Sequence, residues 1–339
     1  MKAIGYTGKK SKSDPDTFIE FTEPTPALSG HDLLVKIEAV SVNPVDCKVR
    51  QRTIEEQRPP LVLGWDAAGV IKAIGEKVTL FNVGDNVFYA GDITRRGSNA
   101  THQLVDERIS GQMPESLNFP EAAALPLTSI TAWEALFERL KINPNTEDAG
   151  KYILIIGGAG GVGSIAVQLA KKVAKLKVIA TASRTETHQW CKSLGADEVV
   201  NHRDDMVAQF KLRNLPAPDY ILCLNSTDQH FPAMVELVAP QGMICSIVDT
   251  SQQHDLNRLK IKSAGFVCEF MFTRSMYQTA DMIKQHELLN NIATLIDAGS
   301  LITTLKTHLG PITPDSIRNA HNLLETGESI GKIVLVSAE

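Results

Sequence analysis

The spacing of apolar positions changes partway along the chain. Before about residue 124 it follows a period of two. Leu33–Ala39 (LLVKIEA) and Gly69–Ile74 (GVIKAI) alternate apolar and polar residues, and Val83–Ala90 (VGDNVFYA) leads into a further run of this kind. That rhythm places one face of a strand inward and the other outward. Gly75-Glu76 and Gly84-Asp85 supply turns, and many short strands between Gly and Pro turns predict a small β-barrel. Pro120–Ala124 and Leu136–Leu140 have helical character around LPLTSITAWEAL, predicting a helical passage into a second domain. From Lys151 compact apolar runs alternate with helical ones. Strands are predicted at Tyr152–Ile156, Lys177–Thr181, Glu198–Asn201, Tyr220–Leu224 and Met243–Val248. Helices are predicted at Glu186–Leu194, Asp205–Arg213 and Phe231–Val238. Such alternation predicts a doubly wound parallel sheet, with ligands beyond the carboxyl ends of its strands. A helix at Asp315–Glu325 and a strand at Gly331–Val336 close the chain, the strand returning to the first domain. The reading is an α/β protein: residues 1–125, completed by 301–339, form one domain, and 126–300 the other.

One junction carries chemistry. The apolar run Tyr152–Ile156 passes directly into glycines, and a helical pattern with Ile165, Leu169 and Val173 at i, i+4 and i+8 follows. Gly158, Gly160 and Gly163 fit G-x-G-x-x-G, with Gly161 and Val162 between the last two. Dinucleotide binding calls for glycines there because the turn is tight, a pyrophosphate approaches bare backbone, and the helix packs close to its strand. Amides at the helix start then face the anion. The alternative is a plain glycine-rich strand–helix turn.

The remaining composition narrows the function. The chain has 339 residues, enough for two domains, and a net charge of −5, which gives no electrostatic reason to expect nucleic acid or an anionic membrane as partner. No apolar run approaches the length of a membrane span, and the first ten residues lack a signal peptide's apolar core. Five dispersed cysteines argue for reduced thiols and a cytoplasmic setting. His102, His188 and His286 are isolated, and Lys9–Lys12 reads as a solvated charge cluster.

An NAD site commonly places an acid about 20 residues beyond the last glycine. Here the corresponding stretch is Thr181-Ala182-Ser183-Arg184, with no acid. A hydroxyl beside a guanidinium suits a 2′-phosphate, whose charge-assisted hydrogen bonds contribute roughly 1.5–3 kcal/mol each. The expectation is NADPH rather than NADH. The alternative is that Ser183 and Arg184 only cap and solvate the next helix. His202 and Arg203, after the third strand, either touch the same end of the cofactor or form a solvated face.

With these residues assembled, the sequence resembles the medium-chain dehydrogenase/reductase superfamily in its zinc-independent quinone oxidoreductase branch. The resemblance spans nearly the whole chain. It rests on SVNPVDCKVR (Ser41–Arg50), LGWDAAGVIKAIG (Leu63–Gly75), GDNVFYAG (Gly84–Gly91), AALPLTSITAWEAL (Ala123–Leu136), GGAGGVGSIAVQLAK (Gly157–Lys171), SLGADEVVNHRDD (Ser193–Asp205) and GKIVL (Gly331–Leu335). It implies a GroES-like barrel domain plus a Rossmann domain, an active site in the cleft between them, and a homodimer formed through the edge strand of the Rossmann sheet. Zinc-containing relatives carry a Cys where this chain has Asn43 and Gly-His-Glu where it has Gly64-Trp65-Asp66. An amide and an indole are not usual Zn²⁺ ligands, one carboxylate cannot hold the ion alone, and no four-cysteine lobe exists. The expectation is no metal at either site.

Without a Lewis acid, the chemistry left is hydride transfer to acceptors that are already electrophilic: quinones and α,β-unsaturated carbonyls. The resemblance makes Asn43 the leading hydrogen-bond donor to the acceptor's carbonyl oxygen, the alternative being an Asn-Pro turn residue. Asp46 orients its neighbours; Lys48 and Tyr89 are further catalytic candidates, against a solvated lysine and a core tyrosine. Trp65, Phe270 and Phe272 are the candidate pocket wall, the first against a plain core aromatic and the last two against a core or subunit-interface role. Thr131, in SITAW, resembles the position that contacts the nicotinamide carboxamide, the alternative being ordinary helix packing. Asn225, Ser226 and Ile247, on loops after strands, and Lys332 in GKIVL complete the expected cofactor set. Two other functions remain open: a zinc-type alcohol dehydrogenase, and a dinucleotide-binding protein without catalysis.

Overall fold

A computed structural model describes residues 1–8, 17–53, 55–144 and 147–338. The charge cluster Lys9–Lys12 falls outside them. The chain divides into two compact units, residues 1–130 with 272–339, and residues 131–271.

The first unit is β-rich. A small sheet joins β1 (Lys2–Tyr6), β2 (Phe18–Thr22) and, later in the chain, β4 (Leu61–Val62) in the order β2-β1-β4. The larger sheet is built on β3 (Asp32–Val42), which is followed at once by helix α1 (Pro44–Arg52). It continues with β5 (Ala67–Ile74), β6 (Asn86–Tyr89), β7 (His102–Asp106) and β8 (Ser110–Gln112). Helix α2 (Phe119–Ala123) comes next, and α3 (Pro126–Trp133), continued by a π-helical turn, Glu134–Arg139, carries the chain into the second unit. Alternate residues of β3 (Leu33, Val35, Ile37) point into one core with Ile71, Val87, Tyr89 and Val105.

The second unit alternates as its apolar rhythm predicts. In chain order it runs β9 (Tyr152–Ile156), α4 (Gly161–Gln168), β10 (Lys177–Thr181), α5 (Thr185–Leu194), β11 (Glu198–Val200), α6 (Met206–Leu212), β12 (Tyr220–Cys223), α7 (Thr227–Leu237), β13 (Met243–Ser246), α8 (Asn257–Lys260) and β14 (Gly265–Cys268). All six strands are parallel, ordered β11-β10-β9-β12-β13-β14. β9–β13 are near-continuous apolar runs because helices cover both faces. The expected helical register after β9 shifts: Leu169–Val173 forms a π turn, so Ala174, not Val173, reaches the buried face.

The chain re-enters the first unit through α9 (Thr273–Tyr277) and α10 (Lys284–Asp297), then β15 (Leu305–Pro311), α11 (Pro314–Glu325) and β16 (Lys332–Val336). α10 is anchored there. His286 Nδ1 lies 2.7 Å from the Ser110 carbonyl, and the Asn290 side chain accepts the Gln112 amide at 2.9 Å. The compact first unit therefore resumes at Phe272, where the sequence reading drew a boundary at 300. As expected, the final strand pairs with β3, making this unit discontinuous in sequence. No helix among the described residues is long and apolar enough to cross a membrane.

Candidate functional site

In the second unit the glycine turn shows which glycines serve the fold and which serve something outside it. Gly157 ends β9 at φ +89°, a conformation glycine adopts without strain. A Cβ on Gly163 would lie 2.2 Å from the Gly157 carbonyl oxygen, so this glycine is required for α4 to start against the turn. A Cβ on Gly158 would meet Ala180 at 2.8 Å and the Cys191 thiol at 3.1 Å. Gly160 is different: its nearest neighbour would be the Gly157 carbonyl oxygen at 3.6 Å, an ordinary contact. Nothing within the unit asks for glycine there, whereas an anion seated on the α4 N-terminus does. Gly161 and Val162, half-buried, open the first turn, whose amides have no acceptor within the helix.

Except for Thr131 on α3, the other expected cofactor residues of this unit follow the carboxyl ends of its strands, where a doubly wound sheet binds ligands. Ser183 and Arg184 follow β10, half-buried; Arg184 is also the N-cap residue of α5, its amide donating to Thr187 Oγ1 at 3.1 Å. His202 follows β11, with its ring edge-on to His230 at 6.1 Å and Nδ1 unpartnered; burial lowers the basicity of both imidazoles. Asn225 and Ser226 are exposed beyond β12, and Asn225 lies beside Gly157. Ser226 holds a left-handed backbone (φ +45°) that starts α7 four residues before the predicted position. Ile247 follows β13, and Thr131 is buried on α3.

In the first unit a buried polar cluster is assembled by sheet register. Val42 of β3 pairs with Ile333 of β16, and Val40 with Ala67 of β5. Asn43, Lys332 and Asp66, each one residue outside these pairs, therefore converge. Gly64 makes the turn before Asp66 possible at φ +100°, tight against Ser98 and Asn99. Lys332 Nζ lies 2.9 Å from Asp66 Oδ2, 3.3 Å from the Val42 carbonyl, and in contact with Asn43 Oδ1. Asn43 Nδ2 donates to Asp66 Oδ2 at 3.1 Å and to the Ser41 carbonyl at 3.3 Å. The Leu127 amide donates to Asp66 Oδ1 at 3.2 Å. Asp46, in the first turn of α1, accepts the Asn43 amide at 2.6 Å. Burial pushes the Asp46 carboxyl up to about 7, against the pull of that amide and of Lys332. Burial likewise raises Asp66, and Lys332 opposes it.

This arrangement corrects two expectations. Asn43 is 1% exposed with both amide hydrogens already directed at protein acceptors, so it has none to give a substrate oxygen. Tyr89 does not face a cleft: it shares the face of Val87 within the barrel core, and its hydroxyl has no partner. Desolvation raises the pKa of this phenol, making it a weaker acid. The proposed pocket wall separates as well. Trp65 and Phe272 are buried edge-to-face at 6.4 Å, with the indole N–H bonded to the Asp92 carbonyl, whereas Phe270 is 47% exposed in the second unit. Lys48 is half-buried on α1. The sequence reading missed the Asp66–Lys332 ion pair. Its only local signal was an acid three residues before one predicted strand and a lysine at the start of another.

No group of three or more His, Cys, Asp or Glu able to hold a metal occurs among the described residues. The side chains at the positions of the relatives' catalytic zinc do not fit the ion. An amide with both ends engaged, a buried indole and a carboxylate already paired with an ammonium offer no open donor set.

Comparison with known proteins agrees with the architecture. Residues 29–129 match the alcohol dehydrogenase GroES-like domain, and residues 194–335 the zinc-binding dehydrogenase family. A zinc-type alcohol dehydrogenase-like protein of Staphylococcus aureus is 47% identical over 336 residues, covering 99% of both chains. A 2-methylene-furan-3-one reductase of Solanum lycopersicum is 31% identical over 345 residues, covering 99% of this chain and 79% of that one. Among solved structures, a Rhizobium etli protein assigned to the zinc-dependent alcohol dehydrogenases superposes with a TM-score of 0.95 at 48% identity, covering 100% and 98% of the two chains. The quinone oxidoreductase of Coxiella burnetii gives 0.80 at 26%, covering 99% of each.

Proposed function

The chain belongs to the medium-chain dehydrogenase/reductase superfamily of oxidoreductases, and from that premise we propose that it reduces quinones or α,β-unsaturated carbonyls with NADPH and without a metal ion. The observation that carries this reading is the set of side chains at the family's metal position: Asn43, Trp65 and an Asp66 neutralised by Lys332. A protein that polarises no carbonyl with a metal needs an acceptor with a low barrier to hydride addition, and conjugation supplies one. The tomato relative's name specifies an α,β-unsaturated ketone, and the Coxiella structure a quinone oxidoreductase.

NADPH, when bound, supplies the hydride. The chain's own part is to hold and orient it. The first-turn amides of α4 receive the pyrophosphate over Gly160. Ser183 and Arg184 receive the 2′-phosphate, and Asn225, Ser226 and Ile247 border the ribose and nicotinamide. Trp65 and Phe272, both buried and packed edge-to-face, stiffen the first unit from within. A second copy of the chain pairs along β14, the edge strand of the parallel sheet.

The test is NADPH oxidation against a panel of quinones and enones, with elemental analysis of the same preparation. Turnover by zinc-free protein is expected. In Arg184→Ala, loss of two charge-assisted hydrogen bonds, roughly 1.5–3 kcal/mol each, should weaken NADPH and leave NADH nearly unchanged. Tight NADPH binding with no turnover of any acceptor would instead make this a non-catalytic dinucleotide-binding protein. Stoichiometric zinc would restore the alcohol dehydrogenase reading.

A further inference from the structure

A lysine near the end of a dehydrogenase chain invites assignment to the cofactor's phosphates. Here the ammonium has no donor left for one. Lys332 is 3% exposed, and its three hydrogens face three acceptors: the Val42 carbonyl, Asn43 Oδ1 and Asp66 Oδ2. Reaching a phosphate would break all three contacts and leave Asp66, fully buried, without its counter-ion.

We infer that Lys332 is a positioning residue: its ammonium takes the place of a bound cation, balancing Asp66 and fixing which way the Asn43 amide points. This rests on the dinucleotide-binding reading for one arm of its test only. The orientation follows from charge. Oδ1 faces the ammonium and Nδ2 faces the Asp66 carboxylate and the Ser41 carbonyl. The flipped amide would set NH₂ against NH₃⁺ and oxygen against carboxylate. Backbone contacts complete the clamp. The Asn43 amide is held by Asp46, Pro44 fixes the next φ, and α1 begins there with Asp46 in its first turn. Asn43 is thus held by three strand ends and one helix start, with a single positive charge at the centre. A divalent ion and this ammonium cannot both neutralise the one carboxylate, so the lysine also accounts for the unsuitability of the site to zinc.

The test uses the full chain as Lys332→Met and as the charge-neutral pair Lys332→Met/Asp66→Asn. Three readouts are taken: NADPH affinity, thermal stability, and the ¹⁵N–¹H signals of the Asn43 side-chain amide. Those signals are assigned by their loss in Asn43→Ala. NADPH affinity should stay within about twofold of wild type in both variants. The Asn43 amide should lose exchange protection in Lys332→Met. The added Asp66→Asn should recover melting temperature lost in the single variant, because it removes the unpaired charge. A fall in NADPH affinity of more than about tenfold in both variants would return Lys332 to the phosphates. An Asn43 amide unchanged in Lys332→Met would overturn the positioning role outright. If the single variant does not fold, the neutral pair carries the affinity and amide arms. None of the readouts uses an acceptor, so failure to find a quinone or enone substrate refutes the proposed reaction and leaves this inference standing.

Discussion

Acid should loosen the first unit through His321. This residue lies on α11, fully buried, with both ring nitrogens unpartnered and Phe18 edge-on at 5.2 Å. Burial, aided by the Arg50 guanidinium and opposed by Glu325, pushes its pKa down to about 3. The unfolded chain titrates near 6.5. Because the folded value is the lower one, the stability at stake is complete above pH 6.5 and is lost as pH falls toward 3, where only the unfolded chain takes up the proton. The slope is about 1.4 kcal/mol per pH unit, so lowering pH from 7.5 to 5.0 should cost about 2 kcal/mol, or roughly 30-fold in the folded-to-unfolded ratio. His321→Met removes the titration while keeping volume and helix propensity. Hydrogen exchange of the α11 amides, corrected for intrinsic rates, measures it within one unit and avoids a two-state assumption for the whole chain. Wild-type protection should fall about 30-fold more than that of the variant between the two pH values. Parallel decreases in the two proteins would refute the argument.

Three further outcomes follow from the same geometry. Tyr89→Phe should raise stability by about 1–2 kcal/mol, since it removes a buried hydroxyl with no partner from an apolar core; a lower melting temperature would show that the hydroxyl is satisfied in solution. Gly160→Ala should fold normally and lose NADPH affinity, whereas Gly163→Ala, whose methyl would meet a carbonyl oxygen at 2.2 Å, should fail to fold or melt well below wild type. Equal melting losses in the two variants would contradict the division of labour argued for these glycines. Purified protein dialysed against zinc should retain well below one equivalent by elemental analysis, because the amide, indole and paired carboxylate offer no ligand set.

The two units were not equally legible in the sequence. The second is built from local signals: apolar runs that become strands, a glycine turn, and helices between. Five of its strands fall where the apolar rhythm places them. Its sixth, β14, was missed because Gly265–Cys268 is a short edge strand, half-exposed on three of its four residues, without a buried strand's continuous apolar character. In the first unit α10 escaped although Leu288, Leu289, Ile292 and Ile296 have helical spacing, and the domain boundary moved with it. Tyr89 turned on strand parity: a single-residue step exchanges core for cleft, and a run as uniformly apolar as Val87–Ala90 does not reveal which face is which. The Asn43–Lys332 contact joins residues 289 apart. It exists only because β16 returns to β3 in one register, and register is not a local property.

That long-range contact also links the sequence substitutions into one chemical change. Replacing a thiolate metal ligand by the Asn43 amide removes a negative charge, but Asp66 keeps one in a fully buried setting, where an unpaired carboxylate is costly. The charge must be balanced, and Lys332 does so from within the sheet. A buried ammonium with all three hydrogens committed has none to spare for a substrate carbonyl, unlike a metal ion with an open coordination position. On the proposed reading, the work such a cation would have done passes to the substrate. An acceptor whose conjugated carbonyl already draws electrons needs position and orientation more than polarisation. The glycine backbone at the start of α4 and the loops beyond the strand ends are groups suited to supplying position.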